Sequence, residues 1–117
     1  ISLINTLLGM SIDVKKQKPV LANAFGGLSG PAIKPVALRM LYQVATEISL
    51  PLIGMGGIMT GEDAIEFILA GASAVAIGTA TLVDPSAGQR ILMGIKDYMQ
   101  ENKIKRLDEI RGKALGK

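Results

Sequence analysis

The chain has 117 residues, 49% of them hydrophobic, enough for one modest core but short of the about 250 residues of a whole eight-stranded α/β barrel. With no cysteine and no histidine it holds no disulfide, thiolate, imidazole base or usual zinc site of its own, so no metal and no catalytic residue is expected among these residues. The formal charge of +3 gathers in the tail, where Lys103, Lys105, Arg106, Arg111, Lys113 and Lys117 are interspersed with Glu101, Asp108 and Glu109, and with so few aromatics this reads as a solvated helix face rather than a nucleic-acid patch.

In chain order, Ile1 to Leu7 is short, uncharged and β-rich, as for a strand buried on both faces, with Asn5 and Thr6 at its carboxyl end. Strand-like content from the first residue, without an initiator methionine, leads us to expect a chain that starts in mid-fold. Ser11–Val14 and Val20–Asn23 flank the polar Lys15-Lys16-Gln17-Lys18-Pro19 and predict an exposed two-stranded flap. Gly26-Gly27-Leu28-Ser29-Gly30-Pro31 is a loop by composition, and Pro31 suits the first position of a helix because its missing N–H would have had no partner.

Val36, Ala37, Met40, Leu41, Val44, Ala45 and Ile48 recur at helical spacing and predict a helix from about Pro31 to Ile48. Leu52 to Met55 is the next strand, and Thr60 with Asp63 predicts a capping-box start for a helix running through Ala70 and stopped by Gly71. Ala74 to Ile77 is a further strand; Asp84-Pro85-Ser86 breaks the chain before a helix carrying Ile91, Leu92, Ile95 and Met99, and a last short helix is expected over Leu107 to Leu115. Strands alternating with helices are the mark of successive βα units on a parallel sheet, so the fold class is α/β. The longest uncharged stretch, Phe67 to Val83, is broken by Gly71 and Gly78 and by polar Ser73, Thr79 and Thr81. It reads as a helix end and a buried strand, so no membrane partner is expected and the protein is expected to be cytoplasmic.

Two hydrophobic strands run straight into glycine turns one helix apart, at Gly56-Gly57 and at Gly78-Thr79. Bare N–H groups at the carboxyl ends of neighbouring parallel strands, helped by the amino termini of the helices that follow, can surround a phosphate. Either turn alone could merely be a tight connection; the pair, with the Thr79 hydroxyl, favours an anion site. Gly26 to Gly30 adds a third backbone-rich element ahead of a helix start, and Asn5-Thr6 offers an amide and a hydroxyl suited to the edge of a ring bearing imide or carboxylate groups. Lys34 is expected to face solvent, and Glu62, Asp63 and Glu66 to favour a helix dipole rather than act as acids.

Asn5-Thr6, Gly27-Leu28-Ser29-Gly30-Pro31-Ala32-Ile33-Lys34-Pro35, Ile53-Gly54-Met55-Gly56-Gly57-Ile58 and Gly71 to Ala80 resemble the carboxyl-terminal part of the class 1 dihydroorotate dehydrogenases, closest to the catalytic subunit of the class 1B, NAD-linked type. The resemblance covers nearly the whole chain; the Gly-Leu-Ser-Gly-Pro-Ala-Ile-Lys-Pro stretch is specific to it, whereas Gly-Gly-Ile and Gly-Thr occur in many phosphate-binding barrels. It implies that residues 1–117 are the last three βα units of a TIM (β/α)8 barrel, one FMN-binding domain that oxidises dihydroorotate to orotate in pyrimidine biosynthesis. By position it assigns Ile4, Gly30, Gly56, Gly57, Gly78 and Thr79 to FMN, and Asn5 and Thr6 to the orotate ring. It places the family's cysteine base and flavin-contacting lysine upstream of residue 1, so the isolated 117-residue polypeptide is expected to turn nothing over. The partners it implies are a homodimer mate and, for class 1B, an electron-transfer subunit with FAD and an iron–sulfur cluster. A dihydrouridine synthase-like flavoprotein, a phosphosugar isomerase and a non-catalytic half-barrel remain open at this point.

Overall fold

Three short parallel strands frame the structure, a computed structural model that describes residues 1–116; Lys117, counted with the basic tail, lies outside the described residues. They are β1 (Ser2–Leu3), β6 (Ile53–Met55) and β7 (Ala74–Ala76), adjacent in that order, with Ser2 opposite Ile53 and Gly54 opposite Val75. Between β1 and β6 lie the strands β2 (Leu7–Met10), β3 (Ile12–Asp13), β4 (Lys18–Pro19) and β5 (Phe25–Leu28) and the helix α1 (Lys34–Glu47). Helix α2 (Gly61–Leu69) separates β6 from β7, and α3 (Thr79–Val83) and α4 (Ala87–Glu101) follow. The alternation read from the sequence is therefore present as a mixed α/β fold with a parallel sheet. Among the described residues no helix is long and apolar enough to cross a membrane.

The core lies between the sheet and its helices. Ala37 and Leu41 of α1, Ala64, Ile65, Phe67 and Ile68 of α2, and Ile91 of α4 are buried with Leu52. Gly54 belongs to this face: a Cβ there would stand 2.5 Å from Phe67 Cδ1 and 2.8 Å from Leu41 Cδ1. Gly61 and Gly94 let α2 and α4 touch through their backbones, since a Cβ on Gly61 would meet Gly94 Cα at 2.7 Å. Alternation then turns Ile53 to the opposite face, where it is 41% exposed. The opening strand is accordingly not buried on both faces as expected, because helices cover only one side of this sheet among the described residues.

That opening strand is also shorter than expected. It ends at Leu3; Ile4, Asn5 and Thr6 turn out of it, and Leu7 starts a different sheet. The predicted flap exists, with Ile12 paired to Pro19 and Asp13 to Lys18, but it is only the tip of a longer ribbon in which Leu7 to Met10 pair antiparallel with Leu28 to Phe25. Asp13 Oδ1 closes the tip, accepting the N–H groups of Lys15 and Lys16 at 3.0 Å each. Gly26, Gly27 and Leu28 are therefore strand, not loop. Gly27 fits because Thr6 packs over it, its Oγ1 2.6 Å from where a Cβ would stand. The ribbon carries Leu8, Val14 and Phe25 into solvent, 85%, 84% and 61% exposed, and stretches the molecule to 55 × 33 × 18 Å.

The helices follow their sequence signals closely. Pro31 opens a 3₁₀ turn (Pro31–Ile33) that leads into α1. Thr60 Oγ1 accepts the Asp63 N–H at 3.1 Å while the Asp63 carboxylate accepts the Thr60 N–H at 2.9 Å, completing the predicted capping box. Gly71, at φ +112°, ends α2 in a conformation that side chains rarely adopt. The short helix α3, unpredicted because Thr79-Ala80-Thr81-Leu82-Val83 is rich in β-branched residues, is a single turn held by Thr81 Oγ1 donating to Gly78 O at 2.7 Å. Instead of one last helix the tail forms two 3₁₀ turns, Leu107–Glu109 and Lys113–Leu115, split by left-handed Gly112, whose N–H docks on Ile68 O at 3.0 Å.

Candidate functional site

Within two residues after each parallel strand comes a glycine or a small polar residue, so the carboxyl edge of the sheet is where backbone is accessible and side chains are few. Ile4, Asn5 and Thr6 follow β1, Gly56 and Gly57 follow β6, and Gly78 and Thr79 follow β7. Ser29 and Gly30 come in from the far side, between β5 and the first turn of α1. These segments line one cavity of about 260 Å³, and all eight residues singled out from the sequence are on its wall. Ile4, Ile33, Ile58 and Ala80 are its buried apolar lining. Sequence reasoning omitted Ser29, Ile33, Met55, Ile58, Met59, Ala76, Ile77 and Ala80 from the wall. Ser29 was legible as the hydroxyl inside the glycine loop; Met59 and Ala80 carry no local signal.

Two of the loops are tied across the cavity by Thr79 Oγ1, which donates to Ser29 Oγ at 2.9 Å. Asn5 Oδ1 accepts the Thr6 N–H at 2.8 Å, which fixes the amide so that its NH₂ group remains to donate. The glycines fit for different reasons. Gly57 has φ +76°, and a Cβ there would lie 2.7 Å from Lys34 N and 2.8 Å from Gly30 O. At Gly78, by contrast, a Cβ would have no heavy atom within 4 Å, so the space beside that backbone is open. Among the described residues, the N–H groups of Gly56, Gly57 and Gly78 take part in none of the backbone hydrogen bonds made by loops and caps, which leaves them as donors on the cavity wall.

The helix starts differ in what they offer: Gly78, Thr79 and Ala80 at the start of α3 line the cavity, whereas the residues before α2 are engaged in their own cap. At the amino end of α2, Asp63 Oδ2 accepts the N–H groups of Met59 and Thr60, both at 2.9 Å, and Thr60 Oγ1 accepts that of Asp63 at 3.1 Å, so these three donors are spent within the cap. Lys34 is likewise not turned to solvent. Its Nζ donates to Asp63 Oδ1 at 2.6 Å and to Glu66 Oε1 at 3.0 Å, tying α1 to α2. Neither partner is adjacent in sequence, so no local pattern could announce the pair. No charged side chain is left on the cavity wall.

The hydrogen bonds that Lys34 donates to Asp63 and then to Glu66 raise its ammonium above its ordinary value. For Asp63, burial alone would raise the carboxyl, but the hydrogen bonds from Lys34, Met59 and Thr60 outweigh it and hold it below the usual range. A lowered carboxyl contributes stability that is present above its unfolded value, about 3.9, and is lost as pH falls through the folded value. A raised lysine contributes stability that is present below about 10.4 and is lost as pH rises through the folded value. Thermal unfolding of the intact protein against pH should therefore show Asp63→Asn less stable than wild type at neutral pH, with the gap closing below about pH 4. A gap of constant size across the acid range would contradict the charged pairing.

The profile of the family described as "Dihydroorotate dehydrogenase" matches residues 1–99. The chain is similar to proteins named "Dihydroorotate dehydrogenase B (NAD(+)), catalytic subunit" from Alkaliphilus metalliredigens, 67% identical over 112 residues, and Alkaliphilus oremlandii, 64% identical over 113 residues. A protein of the same name from Citrifermentans bemidjiense is 60% identical over 112 residues. These alignments cover 96%, 97% and 96% of this chain and 37% of each relative, so the chain spans a little over a third of the length of the curated relatives it matches.

Proposed function

The chain belongs to the dihydroorotate dehydrogenase family, and from that premise we propose that its cavity holds the phosphate end of FMN in an enzyme that oxidises dihydroorotate to orotate for pyrimidine biosynthesis. The observation that carries the reading is convergence: Gly30, Gly56, Gly57, Gly78 and Thr79, from three separate loops, line one cavity at the carboxyl edge of a parallel sheet together with Ile4, Asn5 and Thr6. The residues fit the group. Gly78 leaves open the space that a Cβ would fill, and free N–H groups, with the Ser29 hydroxyl whose proton is unspent because it accepts from Thr79, are the kind of donor set that a phosphate requires. About 260 Å³ is at the small end for a ligand pocket, room for part of FMN, the rest lying against barrel wall that other residues of the protein supply.

FMN, when bound, supplies the acceptor for the hydride that leaves dihydroorotate. This chain's own residues bind and orient. The Asn5 amide, its oxygen already engaged by Thr6, presents N–H donors to the carbonyl or carboxylate oxygens of the substrate ring, and the Thr6 hydroxyl stands beside it. Ile4, Ile33 and Ile58 exclude water from the wall, which strengthens these hydrogen bonds. The sequence has no cysteine or histidine and no charged side chain lines the cavity, so a cysteine base for the substrate proton, and a cation to balance the phosphate, would come from other residues of the protein.

The sheet supports the reading that these are three units of a TIM barrel. Among the described residues β1 and β7 each have one unpaired edge, and a barrel removes such edges by continuing on both sides. The exposed Leu8, Val14 and Phe25 of the ribbon support a homodimer contact, and the name "catalytic subunit" of the relatives supports a separate partner subunit, to which we assign electron transfer through FAD and an iron–sulfur cluster. The decisive experiment is titration of the intact, FMN-stripped protein with FMN, followed by anaerobic addition of dihydroorotate. One FMN per chain and bleaching of its visible band by dihydroorotate, but not by NADPH, is the expected result. Flavin left oxidised by dihydroorotate refutes the reaction, and absence of FMN uptake refutes the site.

A further inference from the structure

Resting on that reading, we propose that Lys34 is a positioning residue for the phosphate grip: it clamps the segment Gly57 to Thr60 at both ends without touching the ligand. At one end the glycine packs against the backbone and Cβ of residue 34. Gly57 lies so close to the first residue of α1 that a Cβ would meet Lys34 N at 2.7 Å and Lys34 Cβ at 2.8 Å. At the other end the contact is ionic. Lys34 Nζ holds Asp63 Oδ1 at 2.6 Å, and the second oxygen of the same carboxylate accepts the N–H groups of Met59 and Thr60 at 2.9 Å each.

Residue 34 therefore packs against the second glycine of the pair with its backbone and Cβ, and its ammonium fixes where the segment after the pair ends. The ammonium itself does not serve the anion: Lys34 is absent from the cavity wall, and its charge is met by two carboxylates, Asp63 and Glu66. Its contribution is geometric. Two consecutive glycines have the widest backbone freedom of any pair, and a segment that must be ordered at the moment of binding weakens affinity. Held by Lys34, the N–H groups of Gly56 and Gly57 are already aimed when the phosphate arrives.

The test uses the intact protein stripped of FMN and titrated with FMN by flavin fluorescence, alongside amide hydrogen exchange at Met59 and Thr60. Lys34→Met should bind FMN about tenfold more weakly and exchange both amides faster, with Lys34→Arg recovering the larger part of each loss. Ile91→Val, a conservative change in the buried core at a distance from the cavity, controls for general loosening. Should Lys34→Met fail to fold, Glu66→Gln removes one of the two ionic contacts and should shift both readouts in the same direction by less. FMN bound as tightly by Lys34→Met as by wild type, or a loss no larger than that of Ile91→Val, overturns the clamp while leaving the site standing. No FMN uptake by the wild type overturns the reading of the site, and the clamp with it.

Discussion

Gly78→Leu is expected to leave the fold stable to within about 0.5 kcal/mol and to weaken FMN binding at least about a hundredfold. The two effects separate because of where the side chain goes. A Cβ on Gly78 meets no protein atom within 4 Å, and its φ of −110° sets no left-handed barrier against a side chain. The residue is nevertheless on the cavity wall, so a leucine there takes up the space in which the phosphate would approach the Gly78 and Thr79 amides. Thermal unfolding and FMN titration of the same preparation test both halves. Unchanged affinity would mean that the anion does not sit against the turn after β7, and the assignment of Gly78 and Thr79 would fall.

What the sequence made legible, and what it hid, divides along a physical line. The glycine turns at Gly56-Gly57 and Gly78-Thr79, the Thr60 and Asp63 capping box and the break at Gly71 are local: each needs only its own neighbours to be understood, and the structure has the turns, the cap and the break where the sequence indicated them. The strand Phe25 to Leu28 was hidden because Gly26-Gly27 has loop composition. It is a strand only because Leu7 to Met10 supply the ladder and the Thr6 side chain takes the space where residue 27 has no Cβ. Lys34 was hidden in the same way, its partners being 29 and 32 residues away.

The cap shows how a correct local reading can mislead about function. Helix amino ends attract anions when their donors are free, yet Asp63 already satisfies the donors before α2. The following helix, α3, spans only Thr79 to Val83, too short for much of a summed dipole. In the proposed site, recognition of a phosphate would therefore fall to individual amides of the glycine turns and to a hydroxyl, with Thr79 held in place by its hydrogen bond to Ser29. A neutral donor set of this kind selects by geometry, which makes the exact path of the loops matter more than their charge.

That dependence gives Gly57→Val its expected effect, the largest on stability of any single change at the cavity. Gly57 has φ +76°, and its Cβ would lie 2.7 Å from Lys34 N and 2.8 Å from both Gly30 O and Lys34 Cβ. A β-branched residue held at positive φ costs about 1–3 kcal/mol, and forcing atoms into a closed contact adds about 1–3 kcal/mol. Denaturant unfolding of the intact protein should accordingly register a loss of about 3–4 kcal/mol, with FMN binding lost alongside it, because two of the three contacts are main-chain atoms that cannot rotate away. The pairing with Gly78→Leu is informative: one glycine is required by the protein and the other by the ligand, although both line the same cavity. Wild-type stability in Gly57→Val would mean that the loops after β5 and β6 part freely, and a grip that depends on their fixed separation could not be assembled from them.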